Sequence, residues 1–251
     1  MTDVKAINIQ TVSEDNFYGE FAMDFLPRGY GYTLGTPLRR SLLTYMQGSA
    51  ITTVKINGVK HEFTTITGIK EDVLRIILNL KKVVVRNLSD KPQTLILNVK
   101  GAKIITAGDI DENPNVEIIN KDQVIADLTI KASTLEMELT VENGIGYVIA
   151  DNLKRTKIGT IPLDANFSPI ERVSMDVLPT RSGQENDLDK LVLKIWTKGN
   201  VRPSEALYKA INHVRDVFSG MNGLDVETEM EQSSKKAEKV VKKKTIKKVK
   251  K

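Results

Sequence analysis

Five groups of residues carry side-chain types that could do chemistry. Gly29, Gly31 and Gly35 stand between a strand-like run and a helix-like run, where a glycine-rich turn can present backbone N–H groups to a phosphate. Their spacing is GxGxxxG, one residue longer than the dinucleotide fingerprint, and no alternation of strands and helices follows. The plain reading is a tight turn feeding a helix. His61-Glu62 begins like the HExxH zinc motif, but residue 65 is a threonine and the other histidine, His213, lies far along the chain. Asp109, Asp111 and Glu112 could hold a hard cation, yet the EF-hand spacing and its glycine are missing, which leaves a solvated turn. Asp187 and Asp189 precede a strand at i and i+2, so both could share one face as an acid/base couple, although such a pair is more often a turn. No Ser, His and Asp constellation or nucleophile elbow is recognisable. Arg39 and Arg40 are adjacent on a helix and project about 100° apart. At least one therefore faces outward, where a guanidinium suits bidentate capture of a carboxylate or backbone at a protein interface.

These residues need elements to position them. Partial alternation from Lys5 to Asn16 and from Phe17 to Leu26 predicts two strands. Thr36 and Pro37 read as N-cap and first helical position of a helix near 34–47, with Leu34, Leu38 and Leu42 on one face and Gly48 as the stop. Ile51 to Ile56, Asn57-Gly58 and His61 to Ile66 read as strand, tight turn and returning strand. Lys70 to Lys82 reads as a second helix, with Val73, Ile76, Ile77 and Leu80 as its apolar stripe and charges placed to suit its dipole. Short apolar runs follow at 83–85, 94–99, 116–119, 124–129, 135–141 and 147–149, with loops at Asn113-Pro114-Asn115 and Asn143-Gly144, as in a β-rich unit. Strands over 170–177 and 190–196 precede a last helix opened by Pro203 and ending near Gly220, striped by Leu207, Ile211, Val214 and Phe218.

The 251 residues are 40% hydrophobic and 27% charged, ordinary for a soluble globular protein. No apolar run is long enough to span a membrane and no leader pattern opens the chain, so no membrane association is expected. There is no cysteine, which excludes disulfides, thiolate metal sites and a cysteine nucleophile. The formal charge of +5 is unevenly spread. Residues 235–251 hold ten lysines and one glutamate, or +9, leaving −4 for residues 1–234. From Asp225 on, the composition is too polar and too charged to bury a core, and disorder is expected.

Four segments together resemble the α subunit of bacterial DNA-directed RNA polymerase: RGYGYTLGTPLRRSLL (28–43), VKINGVKHEFTTITGIKEDVLRIILNLK (54–81), LDANFSPIERVSMDV (163–177) and NDLDKLVLKIWTKGNVRPSEAL (186–207). The resemblance implies an α+β fold with two subdomains. A discontinuous dimerisation subdomain, 1–47 and 169–224, is interrupted by a β-rich insert subdomain, 48–168, and 225–251 forms a disordered lysine-rich tail. It implies a homodimer joined by the first and last helices through Leu34, Leu38, Leu42, Leu207, Ile211, Val214 and Phe218. One copy would engage the β subunit and the other β′, with sigma and omega in the complete enzyme. Arg40, with Arg39 beside it, matches the family's key β-contacting position, and His61 and Lys81 match positions at the same interface; Asn166 to Val177 is a weaker candidate.

In this reading the chain is a non-catalytic scaffold of a nucleotidyltransferase, with no cofactor, metal or catalytic residue of its own, in a bacterial cytoplasm near the nucleoid or in a plastid. Two departures stand out. Pro37 occupies a position where many relatives have alanine, and nothing matches the family's small DNA-binding carboxy-terminal domain. The lysines of the tail, notably Lys242, Lys243, Lys244, Lys247 and Lys248, suit salt-sensitive, sequence-blind contact with DNA or RNA. A free-standing dimeric nucleic-acid-binding protein working through that tail is the alternative. An enzyme built on Asp187 and Asp189 is a third reading.

Overall fold

Leu191, Leu193 and Ile195 are buried while Lys190 and Lys194 on the other face are not, the period-two pattern that turns one face of a strand to a core, with Val192 on that other face buried as well. The computed structural model describes residues 7–150, 159–182 and 185–221. These residues lie on β14 (Glu185–Thr197), which pairs antiparallel with β13 (Ile170–Ser182) and β2 (Tyr18–Pro27); β1 (Ile9–Glu14) completes the order β1-β2-β14-β13. Two helices supply the other half of this core, α1 (Tyr30–Thr44) and α3 (Pro203–Ser219). Leu38 and Leu42 from α1 and Ala206, Leu207 and Ala210 from α3 join Phe21, Met23, Leu26, Val173 and the β14 side chains in one buried cluster.

A second cluster gathers residues between Ile51 and Leu163. Its main sheet has the order β11-β3-β9-β5, from β11 (Ile161–Pro162), β3 (Gln47–Ile56), β9 (Thr134–Ile145) and β5 (Gln93–Lys100). Three two-stranded ribbons surround it: β4 (Val85–Asn87) with β7 (Val116–Ile118), β6 (Lys103–Thr106) with β8 (Val124–Leu128), and β10 (Tyr147–Val148) with β12 (Ala165–Asn166). All four stripe residues of α2 (Val73–Leu80) are buried in this cluster, so propensity and burial agree there. The chain is thus a mixed α/β protein made mostly of strands.

The structure corrects four local expectations. First, α1 starts at Tyr30 rather than near 34, so Thr36 is not its cap and Pro37 sits inside it. The cap comes from elsewhere: the Asp189 carboxylate accepts the Gly29 N–H at 2.8 Å and the Gly31 N–H at 3.1 Å. Gly31 and Gly35, read as turn residues, instead form the helix face against the sheet. A Cβ on Gly31 would meet Val177 at 2.6 Å, and one on Gly35 would strike the Met175 sulfur. Second, no strand returns after Asn57-Gly58. The turn forms, with Gly58 at φ 79°, but β9 occupies one edge of β3 and β11 the other, leaving no slot for residues 61–66. Third, α2 is shorter than 70–82, because Asp72 caps it by accepting the Arg75 N–H at 2.8 Å and Glu71 turns aside to accept the Asp127 N–H. Fourth, Asn143-Gly144 lies within β9, opposite Ser49 and Gly48, and the chain turns two residues later at Gly146, φ 71°.

By contacts the chain divides into two units, 1–214 and 215–251. Within the described part of the second, the Arg215 guanidinium meets Asp216 at 3.0 Å and the Gly220 N–H donates to the Asp216 carbonyl.

Candidate functional site

Helix α1 separates its side chains by role. Gly31, Gly35, Leu38, Ser41 and Leu42 face the core. Arg39 and Arg40 are exposed, and neither forms an ion pair among the described residues. A guanidinium held on a helix whose opposite side is locked to a sheet has a fixed origin and a solvated head, the arrangement that serves bidentate recognition. The last turn of α1 is tied down: Thr44 Oγ1 donates to the Arg40 carbonyl at 2.7 Å, and the Tyr45 ring stacks on His213 of α3 with centroids 3.5 Å apart.

His61 lies in the irregular segment after β3, exposed, with Thr64 Oγ1 3.1 Å from its Nδ1 and donating to its carbonyl at 2.9 Å. Phe63 beside it is 76% exposed. Lys81, at the end of α2, holds Asp164 at 2.9 Å. The Ala150 N–H donates to the other oxygen of Asp164, and these two interactions keep that carboxyl below the usual aspartate range. Asp164 was not foreseen as a partner, since 83 residues separate it from Lys81 and only the fold brings them together. Arg39, Arg40, His61 and Lys81 thus come from three separate segments, and among the described residues none bonds to another.

The acidic groups resolve into structural roles. Asp187 pairs with Arg28 at 3.0 Å on the surface, and Asp189 caps α1, so the two do not converge as an acid/base couple. Asp109 closes a capping box with Thr106 and pairs with Lys103; burial alone would raise its carboxyl, but these contacts outweigh it and hold it below the usual range. Asp189→Ala leaves two amides at the start of α1 without that acceptor, and losing a cap costs about 1–2 kcal/mol. A denaturant midpoint within error of the parent would exclude this role.

The stripe residues divide. Leu38, Leu42 and Leu207 are buried in the chain's own core, Leu34, Ile211 and Val214 are half-buried against it, and Phe218 is 60% exposed. Buried area already used within the protomer is not available to a second copy. Lys242, Lys243, Lys244, Lys247 and Lys248 lie outside the described residues.

One concave feature was not anticipated from sequence. A cleft of about 490 Å³ is lined by residues of the segment 49–51, the end of α2 with Lys81 and Lys82, the return segment 164–171, and Thr197, Lys198 and Asn200. Among the described residues no cluster of three histidines and carboxylates forms a metal site, and no helix is long and apolar enough to cross a membrane.

Fold and surface together make this a strand-dominated α/β protein that presents Arg39, Arg40 and His61 to solvent and holds Lys81 in an ion pair with Asp164. Residues 54–168 match the family described as the RNA polymerase Rpb3/RpoA insert domain. The chain is 43% identical over 232 residues to the DNA-directed RNA polymerase subunit alpha of Roseiflexus castenholzii, covering 91% of this chain and 72% of that protein. Its identity is 49% over 211 residues to the Thermus aquaticus subunit (83% and 67%) and 44% over 220 residues to that of Deinococcus radiodurans (87% and 64%). The chain belongs to the DNA-directed RNA polymerase alpha-subunit family.

Proposed function

We propose that this chain is the scaffold subunit of a bacterial-type, cytoplasmic DNA-directed RNA polymerase, pairing as a homodimer on which the β and β′ subunits assemble, with sigma and omega in the complete enzyme. The carrying observation is the 43–49% identity to alpha subunits over 83–91% of the chain. The division into two subdomains, 1–47 with 169–224 and 48–168, is supported by the two buried clusters, since the chain leaves one after Met46 and re-enters it at Ile170. A two-fold dimer shows the same patch twice, so one surface can serve two different large partners. Arg39, Arg40, His61 and Lys81 are the contacts assigned to those partners. The seam between copies is assigned to the outward parts of α1 and α3, with Phe218 as an exposed anchor and the buried leucines holding the helices in place. Nucleotidyl transfer then belongs to the large chains.

Affinity purification from the native host, with masses of the co-eluting chains, tests this reading. Two very large partners are expected. A dimer that elutes with nucleic acid alone would favour the free-standing binding protein instead. The ten lysines of residues 235–251 are proposed to add sequence-blind affinity for nucleic acid. Deleting 225–251 should weaken promoter binding at low salt and matter less at moderate salt; equal affinity at both salts removes that role.

A further inference from the structure

We propose that Lys198 is an acylation site whose amine opens onto the cleft and takes small anionic acyl donors of the acyl-phosphate class. This goes beyond the scaffold reading and does not depend on it. The strand register places the groups. Ile170 pairs with Thr197 and Arg172 with Trp196, so Glu171 is the extra residue of a β-bulge, a device that turns a side chain out of the ladder. Glu171 and Lys198 line the same cleft. The Lys198 backbone is held by its N–H donating to the Pro169 carbonyl at 2.9 Å, and Gly199, at φ 88°, turns the chain immediately after it under the Phe17 ring.

The cleft suits an anionic electrophile. Lys82 lines it without an ion pair among the described residues, whereas Lys81 is occupied by Asp164. Asn200, only 4% exposed, lines the floor of the same space. Burial lowers the Lys198 ammonium from the ordinary lysine range despite the opposing Glu171 charge, which leaves more free amine at a given pH. The amine nitrogen attacks the acyl carbon and forms the C–N bond of the amide. The C–O bond to phosphate breaks, phosphate leaves with the electron pair, and the proton shed by nitrogen passes by way of the Glu171 carboxylate to the departing phosphate. The product is a neutral amide where a cation faced Glu171.

The test incubates the full chain with acetyl phosphate at mildly alkaline pH and follows acetylation lysine by lysine by peptide mass. Lys198 should react several-fold faster than the exposed Lys121 and Lys131, and the advantage should vanish in denaturant. Lys82→Gln should slow Lys198 toward acetyl phosphate while leaving its rate with the neutral donor p-nitrophenyl acetate unchanged. A Lys198 rate no greater than that of Lys121, or one with acetyl phosphate that Lys82→Gln does not reduce, overturns the proposal.

Discussion

Replacing Gly48 with alanine should destabilise the protein by about 3 kcal/mol, the upper end of the usual cost of overpacking. Strand propensity alone argues the other way, because alanine restricts the unfolded chain more than glycine does. What reverses the sign is the neighbour. A Cβ at residue 48 would strike the Phe167 carbonyl oxygen and would stand 3.3 Å from the Pro169 ring. A carbonyl on a buried stretch moves only if its backbone moves. That backbone is the return segment between the two buried clusters, and Phe167 is itself only 4% exposed, with its N–H bound to the Gly146 carbonyl at 2.9 Å. Gly144, opposite Gly48 in the register, would place its Cβ 2.7 Å from the Phe167 ring, so the cross-strand glycine pair forms a slot for one residue. An aromatic ring can rotate or slide, and Gly144→Ala should cost less than Gly48→Ala. For a domain of this size, 3 kcal/mol lowers the melting temperature by roughly 6–12 °C. Gly48→Ala with unchanged melting would mean that the return segment is free to shift.

The same slot shows what the residues reveal locally and what they do not. Elements whose local pattern suffices to define them were readable: the α2 stripe of Val73, Ile76, Ile77 and Leu80, the strand over 190–196 inside β14, and α3 from Pro203 onward. Three of the four failures share one cause, a partner distant in sequence. Asn143-Gly144 has turn chemistry, yet the glycine is there to admit Phe167, 23 positions on. Thr36-Pro37 looks like a helix start because the true cap, Asp189, comes from a strand 160 residues away. His61 to Ile66 alternates well enough for a strand, but β11 takes the edge it would need. At the candidate site the arginines were legible because they interrupt a leucine stripe, whereas Asp164, Glu171 and Lys198 meet only through tertiary structure.

Arg40→Ala should leave the fold and the dimer intact and reduce capture of the large β partner by about 30-fold to 1,000-fold, the 2–4 kcal/mol typical of a hot-spot arginine. The fold is spared because Arg40 is exposed, its side chain makes no hydrogen bond among the described residues, and the bond from Thr44 Oγ1 goes to its carbonyl, which alanine retains. Alanine is also the strongest helix former, so α1 gains slightly if anything. Binding suffers because Leu38 and Leu42 are fixed in the core, which gives the intervening guanidinium a fixed origin and spares the cost of ordering its helix on docking. Lysine at this position would keep the charge but lose the planar fork, so Arg40→Lys should recover only part of the affinity. Arg39, about 100° around the helix, separates general charge from specific geometry: if Arg39→Ala weakens capture as much as Arg40→Ala, the contact is a diffuse field that salt will screen. Sedimentation and thermal melting of Arg40→Ala, measured beside its binding to the isolated partner chain, decide the matter. A parent-like dimer that still binds the partner with parent affinity removes Arg40 from the interface, and a lowered melting point would move its role from docking to the stability of α1.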